Sequence, residues 1–206
     1  VLLSGGVSRS LRGGKDVPVT SLEEIRLLAA IGRTEGVVGA QTAGIIDGAS
    51  GLLKLNASDV MLPRKQVVYL SANLSRQQVL KMIKQSGHSR FPFSTTDQLD
   101  QVSGVVMAKE LLLQLQESSD ETIDWSHLVY KPIFVPETAP LNSLLRTFKE
   151  ARRHMAMVVD EYGDVQGIVT FEDVLEEIVG DIFDESDRPI DELWSQDDGS
   201  LHALGT

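Results

Sequence analysis

Gly167-Ile168-Val169-Thr170-Phe171-Glu172-Asp173-Val174-Leu175-Glu176-Glu177-Ile178-Val179-Gly180 is the stretch whose reading decides the fold. It begins as the end of a buried strand, with Val165, Ile168 and Val169 as strand formers, and turns without pause into a helix. From Phe171 onward the apolar residues Phe171, Val174, Leu175, Ile178 and Val179 recur at helical spacing. Thr170 stands at the junction, where a hydroxyl caps the free N–H groups of a first helical turn. Asp173 follows three residues later and completes a T-x-x-D capping box, with Asp in place of the usual Glu. A helix start with a hydroxyl and a carboxylate is also a place to hold a phosphate and a ribose. A capped helix alone explains the pattern too, so both readings stand at this point.

The stretch has a partner upstream. Gly104-Val105-Val106-Met107-Ala108-Lys109-Glu110-Leu111-Leu112 aligns with Gly167 to Leu175, glycine on glycine and acid on acid. Further back, Val67-Val68-Tyr69 matches Ile133-Phe134-Val135, Val79 with Met82 matches Leu145 with Phe148, and Arg90-Phe91-Pro92-Phe93 falls opposite Ala156-Met157-Val158-Val159. The offset is about 66 residues at the front and about 63 at the back, because the first copy has a longer turn from Ser94 to Gln101. Each copy reads strand, helix, strand, turn, strand, helix. The expected fold is α/β (α+β): two β-α-β-β-α units related by a pseudo-twofold axis.

Two such units ending in Gly-apolar-apolar-Thr-x-x-Asp resemble the tandem cystathionine beta-synthase (CBS) domains. Val60-Met61-Leu62-Pro63-Arg64, Gly87-His88-Ser89-Arg90-Phe91-Pro92, Val159-Asp160-Glu161-Tyr162-Gly163 and the run from Val169 to Asp181 narrow this. They are similar to the CorC-like (cyclin M-like, hemolysin C-like) family of membrane proteins associated with magnesium and cobalt transport. The likeness runs from about Val19 to the end.

The bulk properties set limits. There is no cysteine, so disulfides and thiolate metal sites are excluded. No apolar run reaches the roughly 18 residues that cross a bilayer. The chain starts at Val1, without an initiator methionine or a targeting segment; on the family reading, a membrane domain lies upstream. The net charge of −11 is uneven: residues 1–170 carry 18 acidic and 18 basic side chains, whereas 171–206 carry 12 acidic residues and one basic residue, Arg188. Nonspecific nucleic-acid binding needs clustered Lys and Arg and is not expected.

Five segments follow. Residues 1–19 read as a Gly- and Ser-rich juxtamembrane segment, whose Arg9, Arg12 and Lys15 suit the inner side of a membrane. Residues 20–55 form a helical connector. Thr20 or Ser21 caps a helix through Leu28 towards Ile31, and a second helix covers Ala40 to Leu53 with Ile45, Ile46, Leu52 and Leu53 as its stripe. Six glycines make this the region of least expected stability. Residues 56–118 are the first CBS domain, with Ser75 or Asn73 starting a helix that buries Val79, Leu80, Met82 and Ile83 and ends at Gly87. A polar linker from Gln116 to Thr122 leads to the second domain, 122–183, whose folded unit begins at Tyr130. Residues 184–206 are an acidic tail, with Asp198-Gly199-Ser200-Leu201 resembling the opening of a truncated transporter-associated domain.

The resemblance implies two clefts between the paired units, an adenine nucleotide such as ATP or AMP in one of them, and Mg2+ held through its phosphates. Carried over by motif, Asp173 takes the ribose hydroxyls, Thr170 faces phosphate, and Ser89, Arg90 and Phe91 lie across the cleft with Phe91 near the base. Leu62 stands where the family commonly has Thr, and His88, which can stack, where it has an aromatic residue. In the other cleft Met107 and Glu110 replace Thr170 and Asp173, so at most one nucleotide site is expected. No H-x-x-x-H spacing joins His88, His127, His154 and His202, so no metal site is assigned to side chains. The carboxylate pairs Glu172/Glu176 and Asp173/Glu177 read as solvent-facing acids plus one ribose ligand. No serine stands in a nucleophile elbow, and no catalysis is expected.

The expected protein is a homodimeric regulatory module at the cytoplasmic face of the cell membrane, acting on the upstream membrane domain. The alternative is a dimerisation or partner-docking scaffold with a degenerate cleft.

Overall fold

The computed structural model describes residues 21–117 and 122–180, with the backbone of two short strands at 193–195 and 201–203. The juxtamembrane segment at 1–19, most of the linker, the end of the second domain beyond Gly180 and nearly all of the acidic tail lie outside the described residues. Helix α1 (Leu22–Thr34) starts at Ser21, one of the two caps expected, which forms a capping box with Glu24. Helix α2 (Ala40–Gly51) follows, then a one-turn helix α3 (Ala57–Val60).

The first unit contributes β1 (Leu62–Pro63), β2 (Leu70–Ser71), α4 (Arg76–Ser86), β3 (Arg90–Ser94), β4 (Val102–Met107) and α5 (Ala108–Glu117). The second contributes β5 (Val129–Tyr130), β6 (Ile133–Pro136), α6 (Leu141–Ala151), β7 (Met155–Val159), β8 (Val165–Thr170) and α7 (Phe171–Val179). Strands β9 (Leu193–Ser195) and β10 (Leu201–Ala203) pair with each other. In both units a parallel pair, β2 with β3 or β6 with β7, continues into an antiparallel hairpin, β3 with β4 or β7 with β8.

The units exchange their edges. Strand β1 pairs antiparallel with β8, Leu62 opposite Ile168, and β5 pairs with β4, Val105 opposite Tyr130. Each sheet is therefore completed by the chain leading into the other unit. The two repeat glycines permit it. A Cβ on Gly167 would lie 2.4 Å from the Leu62 carbonyl oxygen, and one on Gly104 would lie 2.7 Å from that of Tyr130. Both distances are below any real contact, so each glycine is the place where a foreign backbone comes close.

The exchange carries core residues across the seam. Ala57, Val60 and Met61 pack into the second unit's core, while Ile123, Trp125 and Leu128 pack into the first unit's. The stretch Val67-Val68-Tyr69 precedes strand β2 rather than forming it. In α4 Val79 and Ile83 are buried and Met82 half-buried, but Leu80 is exposed. In α2 Leu52, just past the helix end, is buried, whereas Ile45 and Leu53 are exposed; Ala43 and Ser50 fill the buried face instead. A third core, containing Val67, Val102, Val105, Met157, Val165 and Ile168, joins the two sheets face to face.

One polar clasp fastens the seam. The Arg64 guanidinium grips both carboxylate oxygens of Asp100, Nη2 to Oδ2 at 2.7 Å, and Nη1 also donates to the Val165 carbonyl oxygen at 2.8 Å. The Val165 N–H donates back to Asp100 at 3.1 Å. The hydrogen bond from Arg64 holds the Asp100 carboxyl below the usual carboxylate range. A depressed carboxylate stabilises the fold above its unfolded-state value, and this contribution is lost as pH falls through the folded-state value. Both side chains are partly exposed, so Asp100→Asn is expected to cost only about 1 kcal/mol at pH 7. Thermal unfolding of the two proteins tests this. Their midpoints differ at pH 7 and converge below about pH 4, whereas a gap unchanged at pH 3 assigns the loss to something other than the charge.

Candidate functional site

The junction of β8 and α7 forms the lip of a cleft of about 360 Å³ lined by Leu62, Val68, His88, Arg90, Thr170 and Asp173, among others. The strand delivers Thr170 to the surface, and the helix begins at the next residue, because the capping box closes as expected. Asp173 N–H donates to the Thr170 hydroxyl at 3.1 Å, and Thr170 N–H donates to Asp173 Oδ2 at 2.7 Å. The same two side chains thus start the helix and edge the cleft. Leu62 reaches the cleft through the exchanged strand β1, so a residue of the first unit lies on the second unit's site.

Across the cleft stand His88, Ser89 and Arg90. The helix before them ends at Gly87 in the left-handed conformation, φ +67°, which turns the chain sharply into β3. Arg90 Nη1 lies 3.5 Å from Glu172 Oε1, and His154 Nδ1 lies 3.2 Å from the same oxygen. Glu172 therefore ties the first unit's strand to the start of the second unit's helix. The sequence reading did not single out Glu172 or His154 as site residues. Glu172 meets Arg90 across 82 positions and His154 across 18, and neither separation has a local signature.

Phe91 is a correction. It is fully buried in the first unit's core and does not line the cleft. Successive side chains in a strand point to opposite faces, so placing Arg90 at the cleft turns Phe91 away from it. Among the residues named from sequence, Thr170, Asp173, Ser89, Arg90 and His88 are brought together; Phe91 is not.

The pseudo-equivalent cleft is a smaller cavity of about 170 Å³. Its register differs by one from the sequence alignment. Ala108 N–H donates to the Ser89 carbonyl oxygen at 2.9 Å, as Phe171 N–H donates to that of His154 at 3.0 Å. Ser89 therefore corresponds to His154, and Arg90 to Met155 rather than to Ala156. Met107 takes the place of Thr170, and Glu110 that of Asp173. The Tyr130 hydroxyl lies 2.9 and 2.8 Å from the two Glu110 carboxylate oxygens. That hydrogen bond raises the tyrosine above its ordinary value, so it remains a protonated donor. Its one proton is shared between the two oxygens, and the hydroxyl stands where ribose hydroxyls would approach Glu110.

Two exchanged α/β units, with a cleft on either side of their seam, form a tandem module of pseudo-twofold symmetry. CBS domain matches cover residues 57–117 and 126–180. A magnesium and cobalt efflux protein CorC of Pasteurella multocida is 41% identical over 147 residues, 71% of this chain and 48% of that protein. The CBS domain of a bacterial CNNM/CorC family Mg2+ transporter is similar with a TM-score of 0.69 and 32% identity, covering 80% of this chain and 99% of that one. Such a domain in complex with ATP gives 0.62 and 33%, over 68% and 97%. The chain belongs to the CBS domain family, in its CNNM/CorC branch. It spans about half the length of the curated relatives it matches. Among the described residues no helix is long and apolar enough to cross a membrane.

Because Asp173 caps its own helix, its removal acts before any ligand is added. Asp173→Ala is expected to lower stability by about 1 kcal/mol without nucleotide, read as a lower thermal midpoint. An unchanged midpoint would show that the carboxylate takes no part in the cap.

Proposed function

We propose that this chain is the regulatory, adenine-nucleotide-binding part of a membrane protein that handles magnesium or cobalt. The observation that carries the reading is the Thr170–Asp173 box at the lip of a cleft faced by Arg90. Asp173 uses Oδ2 for the cap and keeps a second oxygen for the ribose hydroxyls. The N–H groups of the first turn of α7 and the Arg90 guanidinium attract phosphate. The ribose and phosphate contacts fit the residues present. The base has an apolar floor of Leu62, Val68 and Ile168 with His88 at its edge, in place of the buried Phe91. Mg2+ would arrive on the phosphates, whose hard oxygens it prefers. The ATP complex of a related domain supports the same ligand class.

Signal transfer follows the helix. The N-terminus of α7 edges the cleft, and its last turn lies against α2, where a Cβ on Gly48 would be 2.5 Å from the Glu177 carbonyl oxygen. A nucleotide that prefers one position of α7 thereby favours one position of the connector, and through it of a membrane domain upstream. The groove between α4 and α5, edged by exposed Leu112 and Leu113, suits a second copy of the module, which makes the functional unit a homodimer at the cytoplasmic face.

Calorimetric titration of ATP, with and without Mg2+, into the chain and into Asp173→Ala tests the assignment. One saturable site per chain is expected, weakened at least tenfold in the variant, with circular dichroism showing both folded. Absence of heat at millimolar ATP, ADP and AMP returns the module to a docking scaffold with a degenerate cleft.

A further inference from the structure

The second cleft has its own chemistry. Although the chain carries a net charge of −11, this cavity is lined by four cations, Arg90, Lys131, Arg152 and Arg153, together with His154 and Tyr130. The two nearby carboxylates are already engaged: Glu110 with the Tyr130 hydroxyl, and Glu172 with Arg90 and His154. Among the described residues no carboxylate lies within ion-pair distance of Lys131, Arg152 or Arg153. Arg153 instead stacks on the Tyr130 ring, its guanidinium carbon 4.8 Å from the centroid. That stacking and the Tyr130–Glu110 bond hold both side chains at the cavity wall.

Arg152 is the most telling member. It sits at φ +51°, the one non-glycine residue in the left-handed region among the described residues, and it ends α6. In the first unit the same corner is made by Gly87. A side chain there is strained relative to the right-handed region, and its effect is to set a further positive charge on the cavity. Like charges gathered in one cleft repel one another unless an anion joins them.

We propose that this second cleft is a binding site for a phosphate-class anion, distinct from the Thr170–Asp173 site. At about 170 Å³ it is below the roughly 300 Å³ of pockets that bury a drug-sized ligand, and the Tyr130 hydroxyl stands on Glu110 where a ribose would bind. Phosphoryl groups remain as the ligand it can take. They have two sources. One is a free inorganic phosphate or diphosphate. The other is the terminal phosphates of a nucleotide seated in the first cleft, because Arg90 and Met155 line both cavities and the two adjoin there. The second source rests on the nucleotide reading above; the first does not.

The test uses the Lys131→Ala/Arg152→Gly double variant of the whole chain. Glycine is the residue of the equivalent corner, so the fold is kept, which a thermal midpoint no lower than that of Lys131→Ala alone verifies. Inorganic diphosphate, AMP and ATP are each titrated into wild type, Asp173→Ala and the double variant at fixed ionic strength. Saturable diphosphate binding that is equal in wild type and Asp173→Ala, and at least tenfold weaker in the double variant, establishes the site with a free anion. If diphosphate does not bind alone, a preference for ATP over AMP that falls at least tenfold in the double variant, with AMP affinity unchanged, establishes it for the nucleotide's own phosphates. The proposal is overturned if neither saturable diphosphate binding nor the ATP-to-AMP ratio responds to the double variant. Loss of AMP binding in Asp173→Ala with intact diphosphate binding would separate the two clefts; failure of AMP in every protein bears on the first cleft alone.

Discussion

The structure depends on the exchange of edge strands across the seam. Neither unit has a complete sheet of its own, since β1 belongs in sequence to the first unit and in space to the second, and β5 does the reverse. A two-residue strand has too few ladder hydrogen bonds to hold itself in place. It is held because its neighbours are fixed by other means: the inter-sheet core around Met157 and Val165, the close backbone approach at Gly104 and Gly167, and the Arg64–Asp100 clasp. The exchange also places Leu62 on the Thr170 cleft and Tyr130 on the other. Cleft composition and domain assembly are consequently the same problem in this chain.

From that symmetric frame, a few side chains make unequal sites. Thr170 and Met107 occupy matching ends of β8 and β4, but only the threonine accepts an N–H and completes a cap. Asp173 turns back to the Thr170 N–H at its own helix start, while Glu110, with a methionine instead of a hydroxyl residue three positions before it, is met by Tyr130. The pseudo-twofold axis therefore relates a cleft edged by a helix-capping aspartate to one whose glutamate is bonded to Tyr130 and whose remaining lining is cationic. This asymmetry also explains how an acidic chain holds a positively charged cavity: each nearby acid has a partner before a ligand arrives.

Much of this was legible because local rules wrote it. The Thr170 box, helix starts at one of two candidate caps (Ser21 rather than Thr20, Ser75 rather than Asn73), the left-handed Gly87 and the repeated Gly-apolar-apolar ending each follow from a few adjacent residues. The features that escaped are non-local or too short for a period. Strands β1 and β5 have two residues each, so no alternation marks them. Trp125 follows a polar linker and reads as its continuation, yet it packs on Phe93 with ring centroids 4.6 Å apart, because β5 carries the chain back to the first sheet. Motif resemblance sets Phe91 near the base, although the alternation of β3 opposes a cleft position for both it and Arg90. The charged lining of the second cleft was hidden by the one-residue register, which set Arg90 against Ala156 and left Arg152 and Arg153 without counterparts in Gly87 and His88.

Glycine-rich sequence in the connector takes on a different meaning once its neighbour is known. A helix with several glycines is weak by propensity, and α1 does expose Leu27 and Leu28 while burying only Ala29. Yet Gly48 is where α2 meets the last turn of α7 backbone to backbone, an approach that any larger residue prevents. Small residues trade helix propensity for proximity, and proximity transmits displacement with little loss because no flexible side chain stands between the two main chains. The helix whose first turn edges the cleft is therefore the one whose last turn bears on the connector. A ligand that shifts α7 by a fraction of an ångström changes a contact that has no slack, which is the physical condition for a small binding event to bias a larger assembly.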